Sequence, residues 1–63
     1  MTLREIKAAV KQGKNVYWKN KAYKVVKGDF NQYLIVYEQS AIGLTWLDGV
    51  TMNGKEKDFF IGE

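Results

Sequence analysis

The sequence predicts an α+β fold, with one N-terminal helix packed on a three- to four-stranded antiparallel β-meander, all in a single domain spanning residues 1–63. Three observations carry this expectation. The first dozen residues repeat apolar side chains at helical spacing between a start and a stop signal. From Asn15 onward, aromatic and β-branched residues gather in short runs of strand length. The runs are separated by turn pairs such as Asp48-Gly49 and Asn53-Gly54, which leave no room for the crossovers that parallel strands require.

Residues 2 to 13 read as the helix. Thr2 and Glu5 form an S/T-x-x-E capping box, which satisfies two amide donors that the first turn would leave orphaned. Gly13 supplies the left-handed residue that commonly stops a helix. Between them Leu3, Ile6 and Val10 fall on one stripe, with Ala9 at its edge. A helix this short is marginal alone and must dock on something.

The docking platform is the sheet. Asn15–Lys19 is a first strand, and Asn20-Lys21 is a two-residue turn into Ala22–Lys27. Gly28-Asp29-Phe30-Asn31 has turn chemistry. Gln32–Glu38 is the strongest strand; Gln39-Ser40-Ala41 breaks it, and Ile42–Leu47 resumes with period-2 alternation. Asp48-Gly49 and Asn53-Gly54 are the sharpest turns, each able to take φ > 0. Val50-Thr51-Met52 is a very short edge strand, and Lys55–Asp58 a single helical turn before Phe59-Phe60-Ile61 packs back.

Composition limits the chemistry. At 46% hydrophobic and 27% charged, the chain is too apolar for disorder. It contains no cysteine and no histidine, which removes disulfides, the common zinc sites and the Ser-His and Cys-His nucleophile pairs. No metal and no cofactor are expected. None of the glycines forms a phosphate-binding loop, and Glu56-Lys57-Asp58 reads as a solvated turn. A domain this small rarely encloses the cleft that paired catalytic carboxylates need, so an enzyme is not expected. The longest apolar run, Tyr33–Tyr37, falls far short of the ~20 residues that span a bilayer, so no membrane partner is expected either. Met1 leads directly into a charged amphipathic segment, where no secretory leader is expected.

Two surfaces stand out as candidates for binding. Residues 1–27 hold eight of the ten basic side chains and one of the seven acidic ones. Arg4, Lys7, Lys11 and Lys14 recur at spacings of three and four, as one basic stripe beside the apolar stripe of the helix. Such a stripe suits an acidic protein surface or phosphate. Arg4 is the only arginine, and no aromatic RNA-binding pattern or glycine-rich clamp accompanies it, so nucleic acid ranks behind protein. The second surface is aromatic. One short helix covers one face of a sheet, yet both faces carry large apolar residues: Tyr33, Ile35 and Tyr37 oppose Leu34 and Val36, and Tyr17 opposes Val16 and Trp18. Tyr17, Tyr33, Ile35 and Tyr37 are therefore a candidate partner-binding face. If Tyr17, Ile35 and Tyr37 share an uncovered face, a homodimer would hide it; the alternatives are cover by Phe59-Phe60-Ile61 or half-buried tyrosines with wet hydroxyls.

The chain also resembles a set of short bacteriophage- and prophage-encoded proteins. The motifs that carry the resemblance are Ile6-Lys7-Ala8-Ala9-Val10 through Gly13-Lys14, Val16-Tyr17-Trp18, Ile42-Gly43-Leu44-Thr45, Asp48-Gly49-Val50, Asn53-Gly54-Lys55 and Asp58-Phe59-Phe60-Ile61. They span nearly the whole chain, but each is short and made of turn and core residues. The resemblance implies a small cytoplasmic protein made in a bacterial host cell. It also implies a mode of action, binding and masking a host protein, including defence systems such as restriction or CRISPR effectors. No functional residue is carried over from it. A self-associating assembly component is a further alternative.

Overall fold

The helix forms where its caps place it. In the computed structural model, which describes residues 1–29, 32–45 and 49–62, α1 runs Leu3–Lys11. The Glu5 N–H donates to Thr2 Oγ1 at 3.2 Å, and the Thr2 N–H donates to Glu5 Oε1 at 2.8 Å, completing the capping box. At the other end Gly13 takes φ 82°. Its N–H reaches the Val10 carbonyl, and the Lys14 N–H reaches that of Ala9, the paired bonds of a Schellman stop.

Five strands follow: β1 (Asn15–Trp18), β2 (Asn20–Lys27), β3 (Tyr33–Tyr37), β4 (Ser40–Gly43) and β5 (Phe59–Gly62). Their spatial order is β4-β3-β2-β1-β5, with every pairing antiparallel. The meander of the sequence reading accounts for β1–β4. The C-terminal segment does not cover a face; it adds a fifth strand at the edge, with Val16 opposite Ile61 and Trp18 opposite Phe59.

Local details depart from expectation at the turns. The first hairpin closes more tightly than a turn at Asn20-Lys21 would, with Trp18 opposite Asn20 and a shift in register between Tyr17 and Trp18. Lys19 adopts φ 67° there, and Asn20 Oδ1 accepts the Ala22 N–H at 2.8 Å. The fourth strand ends at Gly43 rather than Leu47; Trp46, Leu47 and Asp48 lie outside the described residues, as do Phe30 and Asn31. Val50-Thr51-Met52 does not form an edge strand; Met52 bridges to Thr45. The expected helical turn is a 3-10 turn at Glu56–Asp58. Gly49 takes φ 76° as expected, but Gly54 is not in the left-handed region. Gly54 instead lies where a β-carbon would overlap Trp18 Nε1 and come 3.2 Å from the Phe59 ring.

The core lies between α1 and one face of the sheet. It comprises Ile6, Ala9, Val16, Val25, Tyr33, Ile35, Leu44 and Phe59, with Met1, Leu3, Val10, Trp18, Tyr23 and Met52 packed at its margin. Side chains alternate along a strand, so the burial of Val16, Val25 and Ile35 turns their neighbours Tyr17, Lys24, Val26, Leu34 and Val36 to the opposite, outer face. After β4 the chain returns on the helix side. Leu44 enters the core, and the Asn53 N–H donates to its carbonyl while Asn53 Nδ2 donates to that of Gly43. The Lys19 N–H meets the Asp58 carbonyl at 2.8 Å, seating the 3-10 turn just before β5.

Candidate functional site

Helical spacing brings three members of the basic stripe together. Arg4, Lys7 and Lys11, with Leu3 and Ala8, form one wall of an open groove of about 460 Å³ whose far side is Gly49 and Val50. Arg4 and Lys11 are exposed. Lys7 is half-buried, its Nζ 5.5 Å from the centre of the Tyr33 ring. Among the described residues no carboxylate pairs with Arg4, Lys7 or Lys11. The helix's own acid is otherwise engaged: the Thr2 N–H, and then the Thr2 hydroxyl, hold the Glu5 carboxyl below its ordinary pKa. Among the described residues, the groove therefore sets positive charge without a carboxylate partner beside apolar carbon, from Leu3, Ala8 and Val50.

Lys14 does not belong to this group. The Schellman stop turns the chain away after Lys11, and Lys14 lines a separate depression with Gly13, Asn15, Ile61 and Gly62. Its spacing continued the stripe only for as long as the helix lasted.

The aromatic group divides between the two faces. Tyr33 and Ile35 are core residues beneath the helix, 7% and 1% exposed. Tyr37 lies on the same side at its margin, stacked on Tyr23 with ring centres 4.5 Å apart. Tyr17 is on the outer face, against Phe60 at 5.7 Å. The four do not form one surface, because the register sets Tyr17 opposite Lys24 and Lys24 opposite Val36, not Ile35. The outer face is instead Tyr17, Phe60, Lys24, Val26, Leu34 and Val36. Alternation along Tyr33–Tyr37 separated the two sets correctly, but it does not mark which set the helix covers.

Among the described residues no cluster of side chains suits a metal ion. The buried polar groups Tyr33 Oη, in the core, and Trp18 Nε1, at its margin, have no hydrogen-bond partner among the described residues. Among the described residues no helix is long and apolar enough to cross a membrane. Comparison with protein-family models, with curated proteins and with solved structures finds no match. The likeness to phage-encoded proteins thus rests on the short motifs alone.

Proposed function

We propose that this chain is a non-catalytic interaction module of phage type that binds an acidic surface on a host protein and masks it, as an inhibitor of a defence system such as a restriction or CRISPR effector would. The observation that supports this reading is the groove along α1, where Arg4, Lys7 and Lys11 have no carboxylate partner among the described residues and stand next to Leu3, Ala8 and Val50. Unpaired charge steers association, and adjacent apolar carbon supplies contact that holds the complex. Direct phosphate binding is the weaker reading. Single-stranded nucleic acid is gripped by cations and exposed aromatic rings side by side, but here the exposed rings of Tyr37 and Phe60 are absent from the groove lining.

The test is affinity capture from bacterial lysate after nuclease treatment, comparing the wild type with an Arg4→Glu/Lys11→Glu variant. Both positions are exposed, so the variant should fold. The expected result is a host protein retained by the wild type and lost by the variant. Binding of generic DNA at micromolar concentration in about 150 mM salt, where screening confines charges to ~8 Å, would contradict it.

A further inference from the structure

The outer face of the sheet is the largest feature that the groove does not explain. Register aligns Phe60, Tyr17, Lys24, Val36 and Ala41 as one row across all five strands. A second row holds Val26, Leu34 and Gly43. Phe60 is 36% exposed, and Tyr17, Val26, Leu34 and Val36 are only half-buried, whereas Val16, Val25, Ile35 and Phe59 at the centre of the helix side are at most 3% exposed; the edge residues of that side, Ile42 and Ile61, stay open. Within these rows the single charged side chain is Lys24, on the middle strand, and among the described residues it has no carboxylate partner.

Lys24 at the centre of the apolar rows, with the Lys21 side chain reaching the Tyr17–Gly62 end of the same face, determines what can dock there. A twofold pairing of two copies that buried the Phe60–Ala41 row would bury both Lys24 ammonium groups against apolar surface with no counter-charge. A partner bringing a carboxylate would meet Lys24 with opposite charge and cover the surrounding rings and aliphatics. Five strands spaced ~4.8 Å apart give a face ~19 Å wide, and strands of four to eight residues at ~3.3 Å each make it ~13–26 Å long, about 250–500 Å² and smaller than the ~800 Å² per partner of a standard interface, so a micromolar complex is the scale to expect.

We propose that the outer sheet face is a docking surface for a protein partner that sets a carboxylate on Lys24 within an apolar surround, and that Lys24 bars the face to a second copy of this chain. The test uses the chain's own Lys24→Glu variant as the acidic partner. By sedimentation at about 100 µM, a concentration suited to micromolar complexes, wild type and Lys24→Glu should each be monomeric, and their equimolar mixture should form a heterodimer. Lys24→Leu alone should self-associate, and adding Val36→Asp should abolish both complexes. Arg4→Glu/Lys11→Glu should change none of these results, which separates this proposal from the reading of the groove. A mixture that stays monomeric would overturn the proposal, as would a wild-type dimer that Val36→Asp dissolves.

Discussion

The two faces of the sheet are built from similar residues and have opposite fates. Beneath α1, Val16, Val25, Ile35 and Phe59 are at most 3% exposed, and Leu44 from the returning chain closes the layer. On the outer side, Val26, Leu34 and Val36 come from the same strands and are equally apolar, yet remain half-exposed. Hydrophobicity therefore does not decide which face becomes core. The decision lies with what packs from outside the sheet, the helix together with Leu44 and Met52 of the chain after β4, which settle on one side. That side gains stability, and the other is left as a surface.

Paired substitutions can break or sharpen this contrast. The largest difference should come from truncation. Ile35→Ala, or Ile6→Ala on the facing helix, should lower stability by about 2–5 kcal/mol through lost burial and a residual cavity. Val36→Ala, one residue along the same strand, should cost about 1 kcal/mol or less, because solvent already reaches the site. Urea denaturation of the pair measures both; equal losses would mean that the outer face is packed too.

Adding one carbon gives a second comparison. A β-carbon on Gly54 would overlap the Trp18 indole and crowd the Phe59 ring inside the core; on Gly62 it would come 2.5 Å from Tyr17 Cε2 on the outer face. The indole is hemmed in by Tyr23 and Phe59, so Gly54→Ala should cost about 1–3 kcal/mol, the usual range for overpacking. The Tyr17 ring can swing toward solvent, and Gly62→Ala should cost less. Thermal melting of the two variants orders them.

Removing one oxygen is smaller still. Among the described residues Tyr33 Oη is buried without a hydrogen-bond partner, so Tyr33→Phe should raise stability by up to about 1 kcal/mol by deleting an unsatisfied group. Tyr17→Phe, on the half-exposed side, should leave the denaturation midpoint nearly unchanged.

The smallest effect concerns acid and reaches the covered face alone, through the cap of α1. The folded-state pKa of Glu5 is lowered by its hydrogen bonds from Thr2. Its contribution is therefore present above the carboxyl's ordinary pKa and is lost as pH falls through the lowered one. Glu5→Gln keeps an acceptor for the Thr2 N–H and should flatten that acid limb in a pH series of melts.

Much of this architecture was legible in the sequence because it is locally encoded. Thr2 and Glu5, Gly13, the alternation of Tyr33–Tyr37 and the turn at Lys55–Asp58 each act over a few residues, and each produced its element. What was not legible is long-range. Phe59-Phe60-Ile61 reads as packing back, but only its pairing with β1, more than forty residues earlier, makes it a strand. The basic stripe was legible up to Lys11, where it follows helical spacing, and failed at Lys14, where the helix has stopped. The aromatic group failed because it joined Tyr17 to Ile35 across two pairings whose register sets them on opposite sides. Lys24 was counted among the charges but not singled out, since its importance comes from the apolar rows around it.

The central claim, a sheet face sealed at its centre beneath the helix and an outer face left open, is tested most directly by limited tyrosine nitration of the native protein, with modified positions read by peptide mass spectrometry. Tyr17, on the outer face, and Tyr37, 38% exposed at the margin, should be modified, while Tyr33, 7% exposed beneath the helix, should stay protected until the protein is unfolded. Modification of native Tyr33 as readily as of Tyr17 would contradict the assignment of the two faces.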